Sequence, residues 1–285
     1  MRYRIVIKSL KINALAVCLF FVCNTPLARK FYVRTSGNDA NPGRSPATAF
    51  KTINKAAQVV FNGDVVYVGA GAYPTPFFVL GVKNSNSAAV QFVADVTGSF
   101  TGDSGTVIIS GTTFRVAGSN GVQIDGFTFF GGSSHPMIWQ NSFNGTVKDC
   151  VFAGGDKSLL MKDGSLTIDN CQFTDFKNDA IQVDGMANLV VRDCTITGSL
   201  RRGIDIRKNA YVTLDNSTVT NWTGDGVHVE VTSDLIPLDA VIDSECLCSG
   251  ETSPFDMKQQ AYDVLDAMKP TDVGYRALIN KVKMT

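Results

Sequence analysis

Leu166-Thr-Ile-Asp-Asn-Cys171-Gln-Phe173 is answered 23 residues later by Leu189-Val-Val-Arg-Asp-Cys194-Thr-Ile196, and the two segments share one pattern position by position. Three more segments take the same alignment: Val122-Gln-Ile-Asp-Gly-Phe127-Thr-Phe129, Gly145-Thr-Val-Lys-Asp-Cys150-Val-Phe152 and Val212-Thr-Leu-Asp-Asn-Ser217-Thr-Val219. The aligned positions 127, 150, 171, 194 and 217 are spaced 23, 21, 23 and 23 residues apart. A period held over consecutive units marks a repeat architecture.

Each unit opens with apolar, polar, apolar alternation, as in Leu166/Ile168 and Val212/Leu214, which is the pattern of a strand buried on one face. Gly126, Asp149, Asn170, Asp193 and Asn216 then precede the aligned position. These residue types tolerate left-handed backbone angles, so the chain can turn a corner there. A second alternating strand follows in Ile181-Gln-Val183, Ile204-Asp-Ile206 and Val227-His-Val229, each starting 8 residues after the apolar position that closes the first segment. Met137-Ile-Trp139 fits the same offset, whereas the shorter unit leaves the register of Leu159 to Met161 open.

Strands that recur once per turn pair in parallel with the next turn, about 4.8 Å away, and stack equivalent side chains in ladders. The expected fold is therefore all-β: a right-handed parallel β-helix solenoid. Phe50, Ile53, Ala56, Ala57 and Val60 lie on one face of a helix predicted over residues 48 to 60, with Thr48 as cap. It would cover the open end of the solenoid. From about Val231 the alternation fades. Met257/Ala261/Val264/Leu265/Met268 and Tyr275/Leu278/Ile279/Val282 have helical spacing, which predicts a short helical C-terminal tail.

At the N-terminus, Arg2, Arg4, Lys8 and Lys11 precede a run from Ile12 to Cys23 that is apolar but for Asn13, read as a secretory signal cleaved after Ala28. The run is shorter than the roughly 20 residues of a spanning helix. The domain reading is signal peptide over 1–28, parallel β-helix over 29–240 and tail over 241–285, with the mature chain secreted or in the cell envelope and no membrane span after cleavage. Equal totals of 26 basic and 26 acidic residues give no basic excess, which excludes nucleic acid as the expected partner.

Of the 7 cysteines, Cys18 and Cys23 fall in the leader, leaving Cys150, Cys171, Cys194, Cys246 and Cys248. The first three form one ladder column. In-register side chains point the same way, which opposes the perpendicular torsion of a disulfide, so they read as buried core and not as metal ligands.

Phe31-Tyr-Val-Arg-Thr-Ser-Gly-Asn-Asp-Ala-Asn-Pro-Gly43, Pro46-Ala-Thr-Ala-Phe-Lys-Thr-Ile53 and Gly63-Asp-Val-Val-Tyr-Val-Gly-Ala-Gly-Ala-Tyr73 resemble the N-terminal segment of secreted bacterial proteins with pectin-lyase-like right-handed β-helices. The resemblance extends over roughly residues 31 to 230. It implies this fold and export. Members include pectate lyases, other polysaccharide-active enzymes and proteins with no known activity. The Lys base and calcium-binding aspartates of pectate lyases have no unambiguous counterpart here. Gly226-Val-His228-Val also lacks the Gly-His-Gly arrangement of polygalacturonases.

Alternation points Gln182/Asp205/His228 and Asp184/Arg207/Glu230 outward in two columns, with loop residues Asp175, Lys177, Asp179, Arg201, Arg202, Trp222 and Asp225 beside them. Such a polar face suits an extended polymer, so the expected partner is a polysaccharide or surface glycan. Asp205, His228, Asp184 and Arg207 are the candidate catalytic groups. Gln182, Arg201, Arg202, Trp222 and Glu230 are the candidate substrate contacts. Asp179, Asp184 and Asp205 are candidate oxygen ligands for calcium, the one cofactor considered.

Arginines could hold a uronate carboxylate and His228 could exchange protons. The expected function is a lyase or hydrolase acting on a uronate-containing polymer; the alternative is a non-catalytic glycan-binding or adhesive envelope protein. The plainer readings stay beside these. Asp184/Arg207/Glu230 alternates in sign and could be a surface ion-pair ladder. His135 reads as a loop residue, and Trp222 either stacks on sugar or packs beneath its own loop. The Gly37 to Gly43 segment reads as a turn, although its oxygens could hold a cation. Asn144, Asn216 and Asn221 match the N-glycosylation pattern, taken as coincidence.

Overall fold

The computed structural model describes residues 28–74, 77–81, 88–111, 113–131, 135–208, 210–230, 247–249 and 255–257. The expected signal segment, apart from Ala28, and most of the expected helical tail lie outside these residues.

The chain winds into a parallel β-solenoid with three faces per turn. Face one comprises Phe77–Leu80, Phe114–Ala117, Arg202–Arg207, Asp225–Glu230, Phe255–Met257 and residues 137–140, 159–162 and 181–184. Face two comprises Lys30–Val33, Val65–Val68, Val90–Ala94, Val122–Asp125, Tyr211–Asp215 and residues 145–148, 166–169 and 189–192. The two faces are continuous in the long strands Met137–Lys148, Leu159–Asp169 and Ile181–Arg192, which bend in the middle. Face three is a separate 8-stranded sheet running from Gly71–Tyr73 to Leu247–Ser249. Among the described residues, no helix is long and apolar enough to cross a membrane.

The corner between faces two and three is turned where the repeat places it. Gly126, Asp149, Asn170, Asp193 and Asn216 have φ of 77°, 54°, 48°, 52° and 45°. Asn170 Nδ2 donates to Asp149 Oδ1 at 2.6 Å and Asn216 Nδ2 to Asp193 Oδ1 at 2.5 Å, so short polar side chains link successive turns. Asn170→Val should cost about 1 to 2 kcal/mol, because a branched Cβ clashes in the left-handed region, whereas Asn170→Gly should cost little. Urea denaturation of the two variants checks the ordering, and equal midpoints would contradict it.

Immediately inside this corner, Cys150, Cys171 and Cys194 are buried free thiols. The backbone N–H of Cys150 donates to Cys171 Sγ at 3.4 Å, that of Cys171 to Cys194 Sγ at 3.4 Å, and that of Cys194 to Ser217 Oγ at 3.2 Å. Each side chain in turn donates to the carbonyl two residues earlier, at 3.1, 3.2, 3.0 and 2.9 Å for Cys150, Cys171, Cys194 and Ser217. Turning the corner withdraws these N–H groups from the sheet, and the column supplies their acceptors. Serine and cysteine interchange here because each offers one donor and one acceptor.

The interior is filled by stacked rungs. Phe129, Phe152 and Phe173 occupy one register position on face three. Their rings stack at centroid distances of 4.7 and 4.6 Å. Where other turns place Val122, Leu166 and Leu189 on face two, Gly145 leaves room for the Trp139 indole: a Cβ there would meet the ring at 1.9 Å. Trp139 Nε1 donates to Ser142 O at 2.9 Å.

The helix differs from expectation. It spans Ile53–Val59 with Thr52 as cap, and Pro46–Thr48 forms a separate 3-10 turn capped by Ser45. Phe50 N donates to Tyr32 O and Arg34 N to Phe50 O, each at 2.9 Å, so the residues before the helix extend along the first strand. That pairing covers the strand edge. Asp39 accepts from Lys51 N, Thr52 N and Thr52 Oγ1 at 2.8, 2.9 and 2.8 Å, so the chain itself uses the oxygens of the Gly37 to Gly43 turn.

The far end also differs. Leu247–Ser249 pairs with Thr218–Thr220 and Phe255–Met257 with residues 227–229, both in parallel, so strands continue beyond residue 240. Met257, read as the start of a helical pattern, is in a strand. Alternation over three residues is too brief to register as a period.

Candidate functional site on face one

Gln182, Asp205 and His228 are register partners on adjacent turns of face one. Their alternation partners Ile181, Ile204 and Val227 face the core, yet Gln182, Asp205 and His228 are buried as well. Charged side chains at the ends of the face-one strands, Arg202, Arg207 and Asp225, with Lys157 from a loop between faces three and one, contact them.

Asp205 is fully buried and held by two arginines. Arg202 Nη1 donates to Oδ1 at 2.9 Å, and Arg207 reaches Oδ2 through Nε at 2.7 Å and Nη2 at 2.6 Å. Arg207 thus pairs with Asp205 two residues away on its own strand. Asp184 pairs with Lys208, whose Nζ lies 2.9 Å from Oδ1. Glu230 keeps its register position beside Arg207. An alternating-sign ladder is present on face two, where Lys148 meets Asp125 at 3.0 Å and Arg192 meets Asp215 at 3.1 Å.

His228 lies beside Asp225, with Nδ1 3.3 Å from Oδ2, and Arg202 Nε is 3.8 Å from the same carboxylate oxygen. Gln182 Oε1 accepts from Lys157 Nζ at 3.0 Å. Lys157 sits in a loop with no periodic position, so nothing in the sequence singles it out. His135, expected as a loop residue, adjoins Gln182 and Lys157. Burial, reinforced by Lys157 and Lys162, pushes the His135 imidazole down to about 4. It is uncharged at neutral pH.

Asp179 is the most unusual group. It is fully buried, and neither carboxyl oxygen has a hydrogen-bond partner. Arg201 Nη1 lies 3.7 Å and Lys157 Nζ 3.9 Å from Oδ2, outside hydrogen-bonding distance. Desolvation, with the Asp205 charge added, raises its pKa against the opposing influence of Arg201, Arg202 and Lys157. A buried carboxyl with an elevated pKa beside cations is a group able to carry a proton into a reaction.

Two expectations change. Trp222, expected as a sugar contact, is 2% exposed. Its ring packs over Gly226, where a Cβ would meet it at 2.7 Å, so it is core. The residues present do not fit calcium: among the described residues no group of three or more His, Cys, Asp or Glu side chains could hold a metal ion, and both Asp205 oxygens are taken by arginines. Asp184 pairs with Lys208 and Asp205 with Arg202 and Arg207, while Asp179 has cations near it but no hydrogen bond. Arg201 remains about half exposed, with 47% of its side chain accessible, and reaches toward solvent above Asp179.

The model of the family described as right handed beta helix region matches residues 94–249, more than half of the chain. Among solved structures, a rhamnogalacturonan lyase is similar with a TM-score of 0.58 at 17% identity over 74% of this chain. A pectate lyase is similar with a TM-score of 0.57 at 14% identity over 72% of it. The chain spans 65% and 62% of the length of those two structures, and at such identities the likeness is one of fold. A sequence search of curated proteins finds no match. The parallel ladders of all three faces, together with a family match over more than half the sequence, establish that the chain belongs to the right-handed β-helix family.

Proposed function

We propose that the protein is an exported carbohydrate-active enzyme that cleaves a uronate-containing polymer by elimination, at the cluster on face one. The observation that carries this reading is Asp179: a fully buried carboxyl, without hydrogen bonds, held above its usual pKa and flanked by Lys157 and Arg201.

Elimination needs a cation on the sugar carboxylate, a base for the proton on the adjacent carbon, and an acid for the leaving oxygen. Arg201 and Lys157 supply the positive charge, and an arginine fork matches a carboxylate. Both reacting groups, Asp179 and His228, are buried, so the Arg201 and Lys157 side chains must part as the polymer binds; His228, beside Asp225, then takes the carbon-bound proton. The glycosidic C–O bond then breaks as a C=C bond forms, and protonated Asp179 delivers its proton to the departing oxygen. Hydrolysis would require two available carboxyl groups. Asp205, saturated by Arg202 and Arg207, is better suited to fixing those arginines in place. The two lyases that share the fold support the substrate class by analogy only.

The test is absorbance of unsaturated product from a panel of uronate polymers. Asp179→Asn and His228→Gln should each lower the rate by about 10²- to 10⁴-fold. Loss through unfolding is separable. Because the folded pKa of Asp179 is raised, its stabilising contribution is present below the ordinary value of 3.8 and is lost as pH rises through the folded value. Above that range burial of the carboxylate opposes folding, so Asp179→Asn should unfold at an equal or higher urea concentration. Undiminished cutting by both variants would overturn the assignment. Retention on glycan with no cutting of any polymer would overturn catalysis and favour the adhesive alternative.

A further inference from the structure

On face two, one outward column changes character along the solenoid. From Asp125 onward it runs Asp125, Lys148, Asp169, Arg192, Asp215, with opposite charges paired across turns. On the first turns the same column holds Tyr32 and Tyr67 in register. Their rings lie 6.0 Å apart, and Phe100 stacks on Tyr67 at 3.9 Å with an interplanar angle of 9°. Lys30 Nζ sits 6.0 Å from the Tyr67 ring centroid and 5.9 Å from that of Phe100.

Phe100 is held in this position. Asp95 is buried and accepts from Phe100 N at 2.9 Å, Thr101 N at 2.6 Å and Thr101 Oγ1 at 2.8 Å. The loop is pinned again where Asp103 takes a fork from Arg34, at 2.7 and 2.5 Å. So fastened, the loop still leaves Phe100 42% exposed. An apolar ring fixed outward by a buried acid is not explained by burial of the ring itself.

We propose that Tyr32, Tyr67 and Phe100, with Lys30, form a second, non-catalytic binding platform for an acidic polysaccharide. This rests on the carbohydrate reading of the face-one site, but not on its chemistry. A sugar ring presents C–H bonds that lie flat on an aromatic face, and rigid rings lose little entropy on contact. Exposed Lys30 selects the acidic class by charge complementarity, since its ammonium stands beside the rings where a uronate carboxylate would lie. The platform would hold a long polymer against the solenoid while another part of it occupies face one, raising the local concentration of chain at the site.

The experiment is affinity electrophoresis of the full chain through gels containing polygalacturonate or neutral galactan. Phe100→Ala and Tyr67→Ala should weaken retention in polygalacturonate by roughly five- to tenfold, the size of one aromatic contact. Lys30→Gln should weaken it less, and its effect should vanish in high salt. Circular dichroism monitors folding, and cutting of short oligouronides should be unchanged in Phe100→Ala. Undiminished retention of both aromatic variants would overturn the platform even if the polymer is cut. Platform-dependent retention without cutting would leave it standing and sink the catalytic reading. Equal retention in galactan, or capture by anionic lipid vesicles in place of polygalacturonate, would overturn the acidic-glycan assignment.

Discussion

Arg207→Ala is expected to lower the unfolding free energy by about 3 to 5 kcal/mol, the loss typical of removing one partner from a buried ion pair. Arg207 provides the two shortest contacts to Asp205, at 2.6 and 2.7 Å, and Asp205 has no exposure of its own. Without Arg207, Oδ2 loses both of its hydrogen-bond donors in a site closed to water. The guanidinium is partly open to water, so most of the loss comes from the stranded carboxylate. A double-mutant cycle makes this specific: Asp205→Asn in the Arg207→Ala background should recover more than 1 kcal/mol, on the order of a hydrogen bond to a charged group. Urea unfolding measures all three variants. A change under about 1 kcal/mol for Arg207→Ala would mean that water reaches Asp205.

Phe152→Ala should cost a similar amount, about 3 to 5 kcal/mol, through a different cause. The Phe152 ring has Phe129 on one side, tilted by 10°, and Phe173 on the other, tilted by 1°. Truncation removes the middle of a stack, and rigid turns above and below cannot close the gap. Because each turn contacts only its neighbours, the loss also weakens coupling between the two halves of the solenoid. The unfolding transition monitored by near-ultraviolet circular dichroism should therefore broaden as its midpoint falls. Phe152→Leu, which keeps most of the volume, should cost less than about 1.5 kcal/mol. Equal losses for Ala and Leu would show that stacking, and not filling, dominates at this rung.

What the sequence disclosed follows from what repeats. Asp149, Asn170, Asp193 and Asn216 recur because a corner demands a left-handed angle at the same place in each turn. Phe129, Phe152 and Phe173 recur because the interior demands a ladder. The register of Gln182, Asp205 and His228 was legible for the same reason, since alternation fixes which residues share a column.

Burial of that column was not legible. It depends on Arg202, Arg207 and Lys157, long side chains whose reach no spacing rule contains. Lys157 and His135 lie in loops, where residue position carries no period. The choice between sugar contact and packing for Trp222 stayed open because its burial depends on Gly226, four residues later, leaving a gap for an indole. The helix boundary slipped for a local reason: Phe50 fits a helical stripe, but its backbone is already committed to Tyr32 and Arg34.

The cysteine column has a consequence for redox behaviour. Hydrogen bonding along the column and burial raise the Cys171 and Cys194 thiols well above their ordinary pKa. The thiolate is the form that attacks disulfides and reacts with oxidants. Neighbouring sulfurs on successive turns are thus kept chemically silent while the corner stays wound, so these three thiols resist oxidation and cross-linking for as long as the solenoid is intact.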